Sequence, residues 1–277
     1  MSRRLALCAD DFGMAPGVCE GIVELAGDGR LTAISCLANA GHWRDGAAML
    51  AALSPAVEVG LHFNLTEGRA VSPDLARLWP CLPTLPRLIA LAHLGRIPPA
   101  AVRAEFDAQL DAFASATGRP PDFVDGHQHV HHLPGVRGAV LDALATIHPM
   151  PAVRNTGRVL GPGYRVKRAL IEATGGRALQ STLARSGIRH NAALTGVYDF
   201  ADPNYRALTR SWLAAVPRDG ALLFCHPAAP SGAAFADPIA AARIREYRYL
   251  RSGEFLEDLA GADLVRGPVW RLANSGG

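Results

Sequence analysis

The chain has 277 residues, 49% of them apolar and 19% charged, with 28 Lys and Arg against 25 Asp and Glu. That length buries a core without disulfide or metal staples, and that composition excludes intrinsic disorder. A formal charge of +3 and 6% aromatic residues leave too little for a nucleic-acid surface, so no nucleic acid is expected as a partner.

The five cysteines, Cys8, Cys19, Cys36, Cys81 and Cys225, are odd in number and widely spaced, with no CxxC. They read as reduced thiols of a cytoplasmic protein. Arg3 and Arg4 precede an apolar run as in a signal peptide. That run, Leu5–Ala9, is five residues long, and Asp10-Asp11 ends it, which is too short for a secretory core. No stretch reaches the roughly 18 apolar residues of a membrane span.

In chain order, Leu5–Ala9 reads as a buried strand and Pro16 to Gly27 as a helix opened by Pro and closed by Gly. Ala33–Ala38 is a strand, Asp45 to Leu53 a short helix, Val57–Phe63 a third strand. Ser72 to Pro99 is rich in Pro and Leu without a clear period and reads as an insertion or lid. Ala100–Ala116 is a helix and Phe123–His127 a strand. Helix Val136–His148, strand Ala152–Arg154, helix Arg165–Ser186 and strand Gly196–Tyr198 follow. Helix Tyr205–Val216, strand Ala221–Cys225, helix Ile239–Leu250 and a weak strand at Leu264–Val265 complete the chain. Strand and helix alternate throughout, which means a parallel sheet with crossover helices. No composition break divides residues 1–277, and neither a Gly-rich nucleotide fingerprint nor a Walker loop is present. A single-domain, closed or partly closed barrel is expected over an open doubly wound sheet.

In such a barrel the chemistry sits at the C-terminal ends of the strands. Asp10-Asp11 end the first, His62 and Asn64 the third, and Asp125 to His132 the fourth. Arg154 ends the fifth and His226 the seventh. Adjacent carboxylates repel, so one must be neutralised by a proton or a cation. A metal would take one as ligand and leave the other to accept a proton from water. His62 alone fits a hydrogen-bonded core histidine better than a ligand. Four histidines among residues 127–132 are harder to read that way. At strand period Asp125, His127, His129 and His131 would share one face, with Asp125 placed to orient a ligand imidazole. Arg154, closing an apolar strand, is expected to face a buried anion. His226 on this rim is a candidate proton donor. Two imidazoles and one carboxylate leave positions open for water and substrate, and favour Zn²⁺ or another transition ion over Mg²⁺. The residues themselves thus point to metal-assisted hydrolysis of an amide, ester or phosphate bond.

Four motifs together are more specific: Ala9–Gly13 (ADDFG), Gly60–Thr66 (GLHFNLT), Asp125–His131 (DGHQHVH) and Cys225–Pro227 (CHP). In these the chain resembles the YdjC-like carbohydrate deacetylases, a group with chitooligosaccharide and hopanoid-biosynthesis members. The resemblance runs from Leu5 to about Leu264. It implies an α/β fold, a distorted TIM-like (βα) barrel of the glycoside hydrolase/deacetylase kind. It implies one divalent metal ion, Zn²⁺ or Mg²⁺, held by Asp11, His62 and His127, with Asp10 as general base. It implies removal of the N-acetyl group from an N-acetylated amino sugar, and a homodimer. His226 would then protonate the leaving amine, with His129 and His131 as rival acids. Asp125, Arg154, Asn64, His129 and His131 would contact substrate or support the ligands. The departure from the family pattern is Gln128, where relatives have an unbroken run of three histidines; at strand period it points away from the metal. Two other readings stand beside this one: a non-catalytic sugar-binding protein on the same fold, and a hydrolase of another ester or a phosphoester.

Overall fold

The computed structural model describes residues 3–230 and 237–270. Its strands are β1 (Arg3–Phe12), β2 (Ala33–Cys36), β3 (Glu58–Phe63), β4 (Phe123–Gly126), β5 (Ala152–Val153), β6 (Leu194–Thr195), β7 (Ala221–Cys225) and β8 (Leu264–Arg266). The helices between them are α1 (Pro16–Gly27), α2 (Trp43–Leu50), α3 (Pro73–Leu78), α4 (Leu85–His93), α5 (Pro99–Thr117) and α6 (Val136–Leu144). They continue as α7 (Arg165–Ile171), α8 (Arg177–Arg185), α9 (Tyr205–Ala214), α10 (Ala240–Arg251) and α11 (Gly253–Gly261).

All the strand pairings are parallel, in the order β5-β4-β3-β2-β1-β7-β6, with β8 paired to the first residues of β1. This is a barrel order, opened between β5 and β6. Isolated bridges from Val153 to His190 and from Val159 to Leu194 partly span that gap. The fold is therefore the curled half-barrel expected from the alternation of elements.

The strand period of two sorts side chains into two cores. Leu5, Leu7 and Ala9 of β1, with Leu61, Phe63 and Cys225, face outward against the helices. Ala6, Cys8, Phe123, Leu222 and Phe224 fill the inside. Continuing each inward series by two residues reaches Asp10, His62 (from Gly60), Asp125 and His226, all at the C-terminal rim. Gly60 has to be Gly, because a Cβ there would lie 2.5 Å from the Phe123 ring.

Several elements depart from the sequence expectation. The fourth strand stops at Gly126. Residues His127–His132 form a 3₁₀ turn in which Gln128 and His129 take left-handed backbone, φ 52° and 63°. The histidines therefore do not alternate as on a strand. The sixth strand lies at Leu194–Thr195, not at Gly196–Tyr198. Gly196 turns out of the sheet at φ 114°, backed so closely by the Phe224 carbonyl that no side chain would fit. The long helix over Arg165–Ser186 is broken by a π turn at Glu172–Gly176. The aperiodic stretch 72–99 contains α3 and α4. Ser72 caps α3 by accepting from the Leu75 N–H at 3.2 Å. The C-terminal helix ends at Arg251, and Ser252 caps a further helix, α11. No helix among the described residues is long and apolar enough to cross a membrane.

Candidate metal centre and its cavity

The rim opens into a cavity of about 820 Å³ lined by Asp10, Asp11, His62, Asn64, His127, Gln128, His129, His132, His226 and Arg243, among others. Asp10 and Asp11 both face it, although neighbours on a regular strand point to opposite faces. A bulge makes this possible: between Ala9 and Phe12, three steps along β1 match two along β2. Asp11 sits at its centre with φ 68°. Left-handed backbone at a non-Gly residue costs of order 1–3 kcal/mol and tends to persist where function requires it.

The two carboxylates have different partners. Asp10 is gripped by the Arg154 guanidinium, with both Nη–Oδ distances at 2.6 Å. The same Arg154 makes an ion pair with Asp125 at 2.5 Å, and it is fully buried. Arg154 thus faces two buried anions. Asp11 faces imidazoles: its Oδ1 lies 3.0 Å from His127 Nδ1 and 3.4 Å from His62 Nε2. Its Oδ2 accepts from Arg243 Nη2 at 2.8 Å. His62 Nδ1 donates to Asp125 Oδ1 at 2.6 Å, and Ser35 Oγ donates to the same oxygen. That bond fixes the His62 ring with Nε2 turned to Asp11, the usual arrangement behind a ligand imidazole.

Electrostatics follow from this packing. Burial alone would raise Asp11, but Arg243 and His127 outweigh it and hold the carboxyl well below the ordinary range. Against burial, Asp125 and Asp10 pull His62 up to about 10, and Asp11 raises His127. Four carboxylates, Asp10, Asp11, Asp125 and Asp237, are ion-paired with two guanidinium ions, Arg154 and Arg243. The excess of two negative charges is balanced either by protons on the two imidazoles, whose pKa values these carboxylates raise, or by a divalent cation in their place. Carboxylate Asp11 and imidazoles His62 and His127 offer donor atoms that all lie within 4.8 Å of one another. Donor type, buried setting and excess negative charge all fit a divalent cation.

The remaining predicted residues are placed as follows. His226 lines the cavity between the Phe200 and Phe224 rings, edge-on to both with centroids 5.2 and 5.5 Å away. Burial lowers its pKa to about 4. His129 also lines the cavity, edge-on to Phe224 at 5.5 Å. His131 does not: the turn sends it behind the rim, where Nε2 bonds the Arg154 carbonyl at 2.9 Å. It therefore does not share a face with His127, and the expectation that it does is wrong because the strand has already ended. Gln128 is exposed but lines the cavity. Asn64 accepts from the Thr66 and Glu67 N–H groups and donates to the Glu67 carbonyl of its own loop, and it also donates to Asn39 Oδ1 in the loop after β2. Cys225 points the other way from His226, into the outer core.

Sequence reasoning does not reach Ser35, Arg243, Glu246 or Asp237, the partner of Arg243. Ser35 was visible as a lone hydroxyl inside an apolar strand. Arg243 and Glu246 come from α10, and nothing in their spacing says that this helix packs back over the rim. Glu246 accepts from the His226 N–H at 2.5 Å and from the Tyr198 hydroxyl, and burial lifts it to about 7.

A curled parallel sheet with acidic and imidazole groups gathered at its C-terminal rim defines a (βα)-barrel protein with a candidate metal centre. The YdjC-like protein family profile matches residues 4–261, and the chain belongs to that family. It is 38% identical over 208 residues to a carbohydrate deacetylase of Mus musculus, covering 70% of this chain and 66% of that protein. It is 37% identical over 138 residues to a chitooligosaccharide deacetylase of Proteus mirabilis, covering 47% of this chain and 51% of the relative. The matches thus span less than two-thirds of these relatives' lengths. Among solved structures, an Enterococcus faecalis V583 protein provisionally named for cellobiose-phosphate cleavage superposes with a TM-score of 0.69. It covers 97% of this chain and 98% of its own at 20% identity, a likeness of fold.

Proposed function

We propose that the protein is a metal-dependent hydrolase that removes the N-acetyl group from an N-acetylated amino sugar. The observation that carries this reading is the buried Asp11, His62 and His127 trio with a second, unligated carboxylate, Asp10, on the next residue. The names of the curated relatives support the substrate class. Asp11, His62 and His127 would hold the ion, and a set with two imidazoles suits Zn²⁺ better than Mg²⁺. The bound ion supplies Lewis acidity toward the acetyl carbonyl oxygen.

The chain's own groups handle the protons. Asp10 is the base that takes a proton from the attacking water. Arg154 engages both of its oxygens and the Cys8 thiol also donates to Oδ1, which leaves Oδ2 a second lone pair, so the carboxylate is oriented and still able to accept. The amine leaves only once protonated, and His226 is the donor. Burial makes its ring neutral in the free protein, so it takes a proton from solvent as the complex forms, and Asp10 returns the proton it took from water to solvent after the amine has left. The negative charge developing on the acyl oxygen nearby favours the protonated His226 ring. The segment 72–99 acts as a lid, with Leu85 and Ile89 of α4 forming part of the cavity wall. Acetate release from a panel of N-acetylglucosamine compounds, with metal removed and restored, tests the reading. Release that needs the ion supports it; none with any sugar at full metal loading would reject it.

A further inference from the structure

Arg243 reaches the rim from α10, more than two hundred residues along the chain from the carboxylate it touches. Its side chain is 3% exposed. Nη2 lies 2.8 Å from Asp11 Oδ2 and Nε lies 2.6 Å from Asp237 Oδ2. Asp11 is therefore divided: Oδ1 faces His62 and His127, and Oδ2 is spent on the guanidinium. Among the groups contacting Asp11, Arg243 alone holds that second oxygen by a charge-assisted bond.

We propose that Arg243 is a positioning residue that makes Asp11 a one-oxygen ligand. By occupying Oδ2 it keeps Oδ1 turned toward the two imidazoles and leaves coordination positions for water and substrate. This rests on the reading that Asp11, His62 and His127 hold a divalent cation. Two effects oppose each other. A guanidinium beside the site repels a cation, whereas a fixed carboxylate binds one better than a free-swinging carboxylate. The pairing of Arg243 with Asp237 decides between them. That ion pair is close to neutral seen from the site, so repulsion is small and the positional effect wins. The residue must be Arg, because two donors of one rigid fork address two separate carboxylates; a Lys ammonium is a single point.

The test is the affinity of the full chain for Zn²⁺ and Co²⁺, by chelator competition, for wild type, Arg243→Met, Arg243→Lys and Asp237→Asn. Arg243→Met is expected to bind either ion ~10–100-fold more weakly, the usual cost of losing such a support. Arg243→Lys should fall between, and Asp237→Asn should show a smaller loss. The visible absorption of bound Co²⁺ should change in Arg243→Met, because the freed carboxylate can add its second oxygen; a purely structural role would leave that spectrum alone. If Arg243→Met does not fold, the Lys and Asn variants carry the same comparison. Wild-type affinity and an unchanged spectrum in all variants would overturn the proposal. So would tighter binding, which would make Arg243 a cation that the metal must displace. Failure of the wild type to bind either ion would instead remove the underlying metal assignment, and the proposal with it.

Discussion

Asp10 and Asp11 are neighbours in sequence with opposite surroundings, one clasped by a guanidinium and one turned to imidazoles. Their substitutions should separate accordingly. Asp10→Asn is expected to keep the metal and lose turnover by ~10²–10⁴-fold, since only the proton acceptor is removed. Asp11→Asn should lose both. Metal analysis alongside acetate release checks this; an Asp10→Asn protein that loses its metal while Asp11→Asn retains it would reverse the roles. His226 is distinguished by the leaving group. His226→Ala should keep metal and lower amide hydrolysis by ~10²–10⁴-fold. An activated aryl acetate leaves without a proton and should be affected far less. Equal losses on amide and ester would make His226 positional and turn attention to His129, the rival acid that lines the cavity.

The elements around the rim differ in how far their sequence reveals them. β1, α1, β3 and β7 follow from apolar runs, Pro starts and Gly ends, and the period of two carries His62, Asp125 and His226 inward. Other parts of the site depend on backbone that departs from any period. The bulge at Asp11 and the left-handed pair Gln128-His129 are fixed by what packs around them, so strand alternation misplaces His131. Helices α3 and α4 are short, and their Ser72-Pro73 and Thr84-Leu85-Pro86 starts are local signals without an apolar stripe to extend them. Helix α10 is legible as a helix, but its docking on the rim is a long-range event. That docking has a titratable consequence. Glu246 of α10 is raised from 4.5 to about 7 by burial. Between those values the folded chain holds a proton that the unfolded chain has released. Stability from this group therefore falls as pH rises from about 4.5 and levels off above about 7, by about 3 kcal/mol. Glu246→Gln cannot ionise, so its melting temperature should depend less on pH across that window. Parallel pH profiles for the two proteins would contradict the assignment.

Taken together, the half-barrel gathers residues from β1, β3, β4, β5, β7 and α10, spread over most of the chain, into one buried cluster in which carboxylates outnumber guanidinium ions by two. An outward-facing apolar core and an inward core of small and aromatic residues hold the strands in register, and the ionisable groups of the site stand where the inward series reach the rim. The account therefore stands on a bound ion taking the place of the protons on His62 and His127 and being the source of activity. The measurement that addresses this most directly is metal stoichiometry and acetate release on the same samples of wild type, His62→Ala and His127→Ala. The expected result is one divalent ion per chain in the wild type, little in either variant, and acetate release from N-acetylated amino sugars that rises in proportion to bound ion. Full metal occupancy in both variants, or acetate release undiminished after the ion is stripped, would contradict it.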